Sequence, residues 1–187
     1  MIKLPHVLVI AERPDAIAEL TAGAAGLAEK VTLVYSGARE AAVNAAAAYY
    51  AGTLESHSFL SYLPSIAALV RELRPQLVLT EATKNGRAAA AAAAAAAGTS
   101  VQTDAVSLSL EDGRVSTQRM VYGGAAFQTQ SGLGETAVVC AAAGLFEAGE
   151  KQPAAQIFEL EPHSAGVRLL ERRTKEEKSV NLNAAKI

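Results

Sequence analysis

The fold class is decided by Gln76-Leu-Val-Leu-Thr80, by the loop Glu81-Ala-Thr-Lys-Asn-Gly-Arg87 that follows it, and by ten alanines at residues 88–97. The short apolar run predicts a buried strand. Alanine has the highest helix propensity and Gly98 is a typical helix terminator, so the alanine run predicts a helix lying close against a sheet. A disordered low-complexity tract is the alternative interpretation of the alanines. The stretch predicts a strand, a loop and a helix in succession.

The same alternation of apolar runs and helical patterns precedes this stretch. Helices are predicted from Pro14 to about Lys30, from Arg39 to about Ala51, and over residues 63–73. Strands are predicted at residues 6–10, 31–35 and, as a short third strand, 53–57. Continuous apolar strands separated by helices imply a parallel sheet covered on both faces. The fold class is therefore α/β, with a doubly wound, Rossmann-like, mostly parallel sheet.

The second half of the chain has a different pattern. Residues 105–110 alternate, Glu111-Asp-Gly113 is a turn, and residues 114–121 resume extended structure, which predicts an antiparallel hairpin. Further strands are predicted at residues 136–142, 156–160 and 167–172. The charged stretch 171–178 is interpreted as a solvated linker or arm. The second half thus adds an antiparallel extension to the parallel sheet.

Composition excludes several classes of function. The 187 residues suit one domain plus a tail, and the net charge of -2 favours neither nucleic acid nor anionic lipid. Cys140 is the only cysteine, which excludes an internal disulfide and a cysteine-based metal cluster and predicts a buried, inert thiol. No apolar run approaches the roughly 20 residues that span a bilayer, and no signal peptide is seen. We expect a cytoplasmic protein without membrane insertion.

The loop after residue 80 is the first candidate site. Ligands of open parallel sheets bind beyond the carboxyl ends of the strands, and this loop combines a hydroxyl, a glycine, two cations and a helix start. The four candidate residues are Thr83, Lys84, Gly86 and Arg87. A phosphate or a partner's carboxylate could bind there, although the spacing is not that of a P-loop. A solvated capping loop or a partner contact remains open.

A second candidate is the segment Arg119-Met-Val-Tyr-Gly-Gly-Ala125. Arg119 supplies a charged anchor, Tyr122 an amphipathic ring, and Gly123 with Gly124 a backbone that another molecule can approach closely. A plain hairpin bend explains the same residues equally well. The segment is therefore either a contact surface or a turn.

Other motifs carry no chemistry. Residues 132–137 resemble a dinucleotide fingerprint, but the residues after them predict a strand rather than a helix, so we interpret them as a turn. The three histidines, His6, His57 and His163, are far apart without acidic or cysteine neighbours at metal-ligand spacing. Ser131 lacks a nucleophile-elbow pattern. No catalytic residue and no metal site is predicted.

Several segments in this order and spacing resemble the α subunit of electron-transfer flavoproteins, most closely its FixB-type branch. They are Ala11-Glu12, the loop with its preceding Thr80, Thr103-Asp104-Ala105, the segment 119–125 and the late buried strand. The resemblance implies that residues 1–170 form the first domain of such a subunit. It implies that residues 171–187 form the charged linker and the start of a second, FAD-binding domain.

The resemblance also implies a role. The complete subunit would bind FAD, this chain alone would not, and AMP would belong to the β subunit. The domain would be a scaffold packed against the β subunit of a carrier that takes electrons from a dehydrogenase to a quinone reductase or another acceptor. Arg119, Tyr122, Gly123 and Gly124 would meet the partner or the flavin domain, and the loop would be a relic nucleotide crevice. A stand-alone adenine-nucleotide-binding domain is the alternative, and the isolated chain could form a homodimer.

Overall fold

The computed structural model describes residues 3–55, 57–132, 134–163, 166, 169–171 and 173. The helices are α1 (Pro14–Leu27), α2 (Leu63–Leu73) and α3 (Lys84–Ala97). The first five strands are β1 (Leu4–Ala11), β2 (Ala28–Tyr35), β3 (Ala47–Tyr50), β4 (Leu77–Glu81) and β5 (Val101–Ala105). The others are β6 (Ser107–Glu111), β7 (Arg114–Val121), β8 (Ala126–Ser131), β9 (Ala137–Ala141) and β10 (Ile157–Glu159). Short 3-10 turns lie at Arg39–Ala41, Phe59–Tyr62 and Tyr122–Gly124.

Seven strands form one parallel sheet in the order β10-β3-β2-β1-β4-β9-β5. Helix α1 packs on one face, and α2 with α3 packs on the other. Strand order reverses between β1 and β4, because the chain returns from β3 to the opposite side of β1. The predicted doubly wound α/β class is confirmed, and the reversal point fixes where a ligand of such a sheet would lie.

The alanine run forms α3, as predicted. Its sheet-facing side consists of Ala89, Ala90, Ala93 and Ala94, all buried. Gly98 ends the helix with φ 67, a left-handed conformation that glycine adopts without a Cβ clash. Methyl side chains allow this helix to lie close to the sheet. The space between α3 and the sheet is therefore filled by a short distance between the two backbones rather than by large side chains.

The antiparallel extension is a separate three-stranded sheet in the order β6-β7-β8. Asp112 (φ 51) and Gly113 (φ 77) form the tight turn between β6 and β7, and two consecutive residues with positive φ are typical of a hairpin turn of type I′. Leu108 and Leu110 pack against the core on the α1 side. The predicted hairpin is confirmed, but β8 was not predicted.

Two predictions in the first half are wrong. The predicted helix from Arg39 to about Ala51 is a 3-10 turn followed by β3, and residues 53–55 and 57 of the predicted third strand lie outside any strand. Alanine propensity is overridden by sheet packing, because Ala48 is fully buried between β2 and β10 and Tyr49 stacks on Phe158. Helix α1 also ends at Leu27 rather than near Lys30, since Ala28 already pairs with Leu4 in the sheet.

Two of the three predicted late strands, at residues 136–142 and 156–160, are confirmed as β9 and β10. β9 lies inside the sheet between β4 and β5, and β10 forms the far edge beside β3. Cys140 in β9 is fully buried, and burial raises the pKa of its thiol, as expected of an inert cysteine. The predicted strand 167–172 is wrong where it can be checked, because the described residues 169–171 lie outside any strand. Most of the charged stretch 171–178 and all of residues 180–187 lie outside the described residues. No helix in the described part of the chain has the length and apolar character needed to cross a bilayer.

Candidate functional site

The site lies where β1 and β4 end side by side at the reversal of strand order. Glu12 follows β1 directly, and Glu81 is the last residue of β4. In open parallel sheets this crevice is where nucleotides and other ligands bind. Its chemistry here is set by these two carboxylates.

Glu81 is buried, with 2% of its surface exposed. Its carboxylate accepts hydrogen bonds from the backbone N–H of Glu12 (2.9 Å) and from Nε of Arg13 (3.2 Å). Burial raises the pKa of the Glu81 carboxyl, and the N–H of Glu12 and the guanidinium of Arg13 partly offset that shift. The floor of the crevice is therefore an acidic group with its hydrogen bonds already made.

Glu12 closes the crevice from the other side. Its carboxylate accepts hydrogen bonds from Oγ1 of Thr83 (3.2 Å) and from Nδ2 of Asn85 (2.6 Å). These contacts tie the loop after β4 to the end of β1. The negative charge of the Glu12 carboxylate opposes the approach of a phosphate to this crevice.

At the start of α3, a backbone N–H group is bonded to a side chain of the same loop. The side chain of Thr83 accepts a hydrogen bond from the N–H of Gly86 (3.0 Å) and caps the helix. A Cβ at Gly86 would lie inside van der Waals contact with the carbonyl oxygen of Glu81 and 3.0 Å from its carbon. Gly86 therefore allows the helix to pack on the end of β4, and it does not form an open phosphate cradle.

Lys84 and Arg87 are both exposed. Arg87 is half-exposed and forms an ion pair with Asp104 at the end of β5, where Nη2 and Oδ1 are 2.6 Å apart. Lys84 is exposed on the first turn of α3. The structure thus brings Thr83 and Gly86 together as a helix cap and places the two cations on the rim.

The second candidate segment lies next to this rim. Arg119 donates hydrogen bonds to Oγ1 of Thr103 in β5 (2.9 Å) and to Oε1 of Gln128 in β8 (3.0 Å). Thr103 is adjacent to Asp104, the partner of Arg87. The two candidate segments, which the sequence separates by more than thirty residues, are therefore both tied to neighbouring residues of β5.

The turn between β7 and β8 contains Tyr122, Gly123 and Gly124, all with positive φ (53, 67 and 95). The hairpin-bend interpretation describes its backbone correctly. Tyr122 is 87% exposed, so its ring is available to another molecule. A tyrosine held outward on a left-handed turn is unusual for a purely structural bend, because positive φ is unfavourable for residues other than glycine.

Sequence reasoning missed the crevice residues Glu12, Arg13 and Asn85. The signal was present in Glu12-Arg-Pro14, polar residues that follow a buried strand directly. Within the described residues, no group of three or more His, Cys, Asp or Glu side chains could hold a metal ion. Among the histidines, His6 is buried, and its Nε2 atom lies 2.9 Å from Oγ1 of Thr32, a partner that is not a metal ligand.

The chain belongs to the electron transfer flavoprotein family, because it matches the electron transfer flavoprotein domain over residues 7–164. It is 29% identical over 195 residues to the putative electron transfer flavoprotein subunit YdiR of Escherichia coli, covering 100% of this chain and 62% of that protein. It is 28% identical over 154 residues to protein FixB of Salmonella typhimurium, covering 79% of this chain and 49% of FixB. The chain thus spans less than two thirds of the length of these relatives. The resemblance to FixB-type α subunits is confirmed.

A flavin dinucleotide carries a diphosphate, and the crevice does not fit one. It presents the carboxylates of Glu12 and Glu81, and the amide of Gly86 is already bonded to Thr83. At the reversal point of the sheet, the described residues thus present two carboxylates and a capped helix start rather than a set of free backbone amides around a diphosphate-sized space.

Proposed function

We propose that this chain is the N-terminal scaffold and subunit-interface domain of a heterodimeric, FAD-containing electron-transfer flavoprotein. Family membership supports the carrier role, and YdiR is itself named as a subunit. The observation that carries the scaffold role is the crevice closed by Glu12 and Glu81. A domain whose ligand crevice is filled by its own side chains contributes surface and rigidity rather than a binding pocket.

In this proposal residues 1–170 form the scaffold domain, and residues 171–187 form a linker leading to a second domain that holds FAD. The β subunit would hold AMP. The complete carrier would accept electrons from a dehydrogenase and pass them to a quinone reductase or another acceptor. The surface with Arg119, Tyr122, Gly123 and Gly124 would meet the partner subunit or the flavin domain. Two observations support this role. Tyr122 is exposed, and the hydrogen bonds from Arg119 to Thr103 and Gln128 do not neutralise the charge of its guanidinium.

The loop with Thr83, Lys84, Gly86 and Arg87 would be a relic of a nucleotide crevice. The ion pair of Arg87 with Asp104 supports this interpretation, because it uses a cation that a phosphate would need. The bond from Thr83 to the Gly86 amide supports it as well. Neither contact excludes a partner's carboxylate from the rim near Lys84.

Calorimetric titration of the chain with AMP, ATP and FAD tests the proposal against a stand-alone adenine-nucleotide-binding domain. We expect none of the three nucleotides to bind with a Kd below about 1 mM, because the crevice carboxylates repel phosphate. The titrations should therefore show no heat of binding. The control is the variant Lys84→Ala, which removes the exposed cation at the start of α3. Micromolar binding of AMP or ATP that is lost in Lys84→Ala would replace the scaffold function with nucleotide binding.

A further inference from the structure

An open apolar groove lies between α2 and α3, on the side of the two helices that faces solvent. Its volume is about 390 Å³, and among the described residues that line it Arg71 alone is charged. Pockets for small molecules have this character, since they are mostly apolar and hold only a few polar groups. The apolar lining includes Leu60, Leu63, Pro64, Ala67, Ala92 and Ala95.

A polar cleft of about 560 Å³ adjoins this groove at the carboxyl end of α2. Arg71 and Ala96 line both spaces, so the groove opens directly into the cleft. Arg74 and Glu135 also line the cleft. The two spaces together form one channel, which we call the α2–α3 channel, with an apolar part and a charged end.

The charged end of the channel is cationic. Arg71 and Arg74 are both exposed, and within the described part of the chain neither forms an ion pair. Residues three positions apart are neighbours on a helix surface, so the two guanidinium groups leave α2 on the same side. Glu135 lines the same cleft without pairing with either arginine. Two positive charges against one negative charge leave a net attraction for an anion.

The backbone at Arg74 is held in an unfavourable conformation. Arg74 ends α2 with φ 44 and ψ 54, in the left-handed region where glycine is the usual residue. Its N–H donates to the carbonyl of Val70 (3.0 Å), and its carbonyl accepts a hydrogen bond from Nε2 of Gln76 (3.1 Å). A side chain kept at a strained position and held from both sides is typical of a binding site.

The shape and charge of the channel together select a class of ligand. An apolar groove that ends at two guanidinium groups matches a molecule with an apolar tail and an anionic head. Arginine binds a carboxylate through two parallel hydrogen bonds, and each methylene group removed from water favours binding. The net charge of the chain is -2, so attraction for an anion at this place comes from the local arginines and not from the protein as a whole.

We propose that the α2–α3 channel binds a single-chain alkyl carboxylate. The tail lies in the groove against Leu63 and Ala92, and the carboxylate lies between Arg71 and Arg74. The site is formed by this chain alone, so the inference does not depend on the proposed function.

Nuclear magnetic resonance titration of the isotope-labelled chain with decanoate, below the micelle concentration of decanoate, tests the proposal. We expect the amide signals of Arg71, Ala92 and Ala95 to shift and to saturate with a Kd below about 1 mM. Decyltrimethylammonium has the same tail and the opposite charge, and it should bind at least about tenfold more weakly. The net negative charge of the chain acts in the other direction, so a preference for decanoate reports the two arginines.

Variants of the two arginines separate binding from folding. Arg74→Gly removes the cation and places glycine at a positive φ, so the variant should be at least as stable as the unchanged chain. Arg71→Gln removes the other cation. Each change should weaken decanoate binding about threefold, and the two together about tenfold. Arg114→Gln, at an exposed arginine that begins β7, is the matched control and should leave the Kd unchanged.

A second pair of variants tests the apolar part of the channel. Ala95→Glu places a carboxylate in the groove and should weaken decanoate binding at least about tenfold. Ala91 is exposed on the same helix but does not line the groove. Ala91→Glu adds the same charge outside the groove and should bind decanoate within about twofold of the unchanged chain.

Three results would overturn the inference. Absence of saturable shifts at Arg71, Ala92 and Ala95 in the folded chain rejects the site. Equal binding of decanoate and decyltrimethylammonium rejects recognition of the carboxylate. Unchanged decanoate binding in the variant with both Arg71→Gln and Arg74→Gly rejects the arginines as its partners. Each of these results leaves the proposed function standing, because none of them involves a second subunit or flavin.

Discussion

Replacing Gly86 by alanine is expected to lower the free energy of unfolding by about 3 kcal/mol, because the added methyl group has no room. It would overlap the carbonyl oxygen of Glu81, which is fixed at the end of a central strand and is not the tip of a flexible side chain. Either α3 shifts away from the sheet or β4 bends. Urea denaturation followed by circular dichroism measures the loss as a lower midpoint at an unchanged slope.

The matched control is Gly26→Ala. Gly26 lies exposed in the last turn of α1, and no atom lies within 4 Å of an added Cβ there. Alanine is the better helix former by up to about 1 kcal/mol, so this variant should equal or exceed the unchanged protein in stability. Equal stability of the two variants would show that α3 does not start against the Glu81 carbonyl.

Replacing Ala93 by leucine should lower the free energy of unfolding by about 1 to 3 kcal/mol, because it overpacks the close contact between α3 and the sheet. Ala93 is fully buried on the sheet-facing side of the helix. Ala91→Leu adds the same atoms on the exposed side and should change stability by less than about 0.5 kcal/mol. Thermal and urea denaturation of both variants measure the difference. Unchanged stability of Ala93→Leu would contradict the placement of Ala93 on the sheet-facing side of α3.

The two alanine-rich segments show what local pattern can and cannot predict. The run at 88–97 became a helix, and its ends carry matching signals in Thr83 and Gly98. The segment 39–51 has similar composition but contains Asn44 with φ 54 and ends in β3. Its conformation is decided by a place in the sheet between β2 and β10, which comes from distant parts of the chain. Composition alone does not carry that information.

The strand β8 was missed for a related physical reason. Sequence patterns detect strands through buried apolar residues, and β8 has almost none because both of its faces are exposed. The sequence did predict the loop after β4 as a candidate site, since its position follows from the fold class. It did not predict that Glu12 contacts this loop, because Glu12 lies 69 residues from Glu81 in the chain. The contacts of Arg87 with Asp104 and of Arg119 with Thr103 likewise exist only after folding brings β5 beside both segments.

We propose that this chain belongs to one subunit of a two-subunit flavin carrier. The most direct test of this proposal is native mass spectrometry, with an absorption spectrum, of the protein captured from its source cells by an antibody against this domain. We expect a yellow complex with one copy of this subunit, one different subunit and bound flavin. A colourless protein without a second subunit would contradict it.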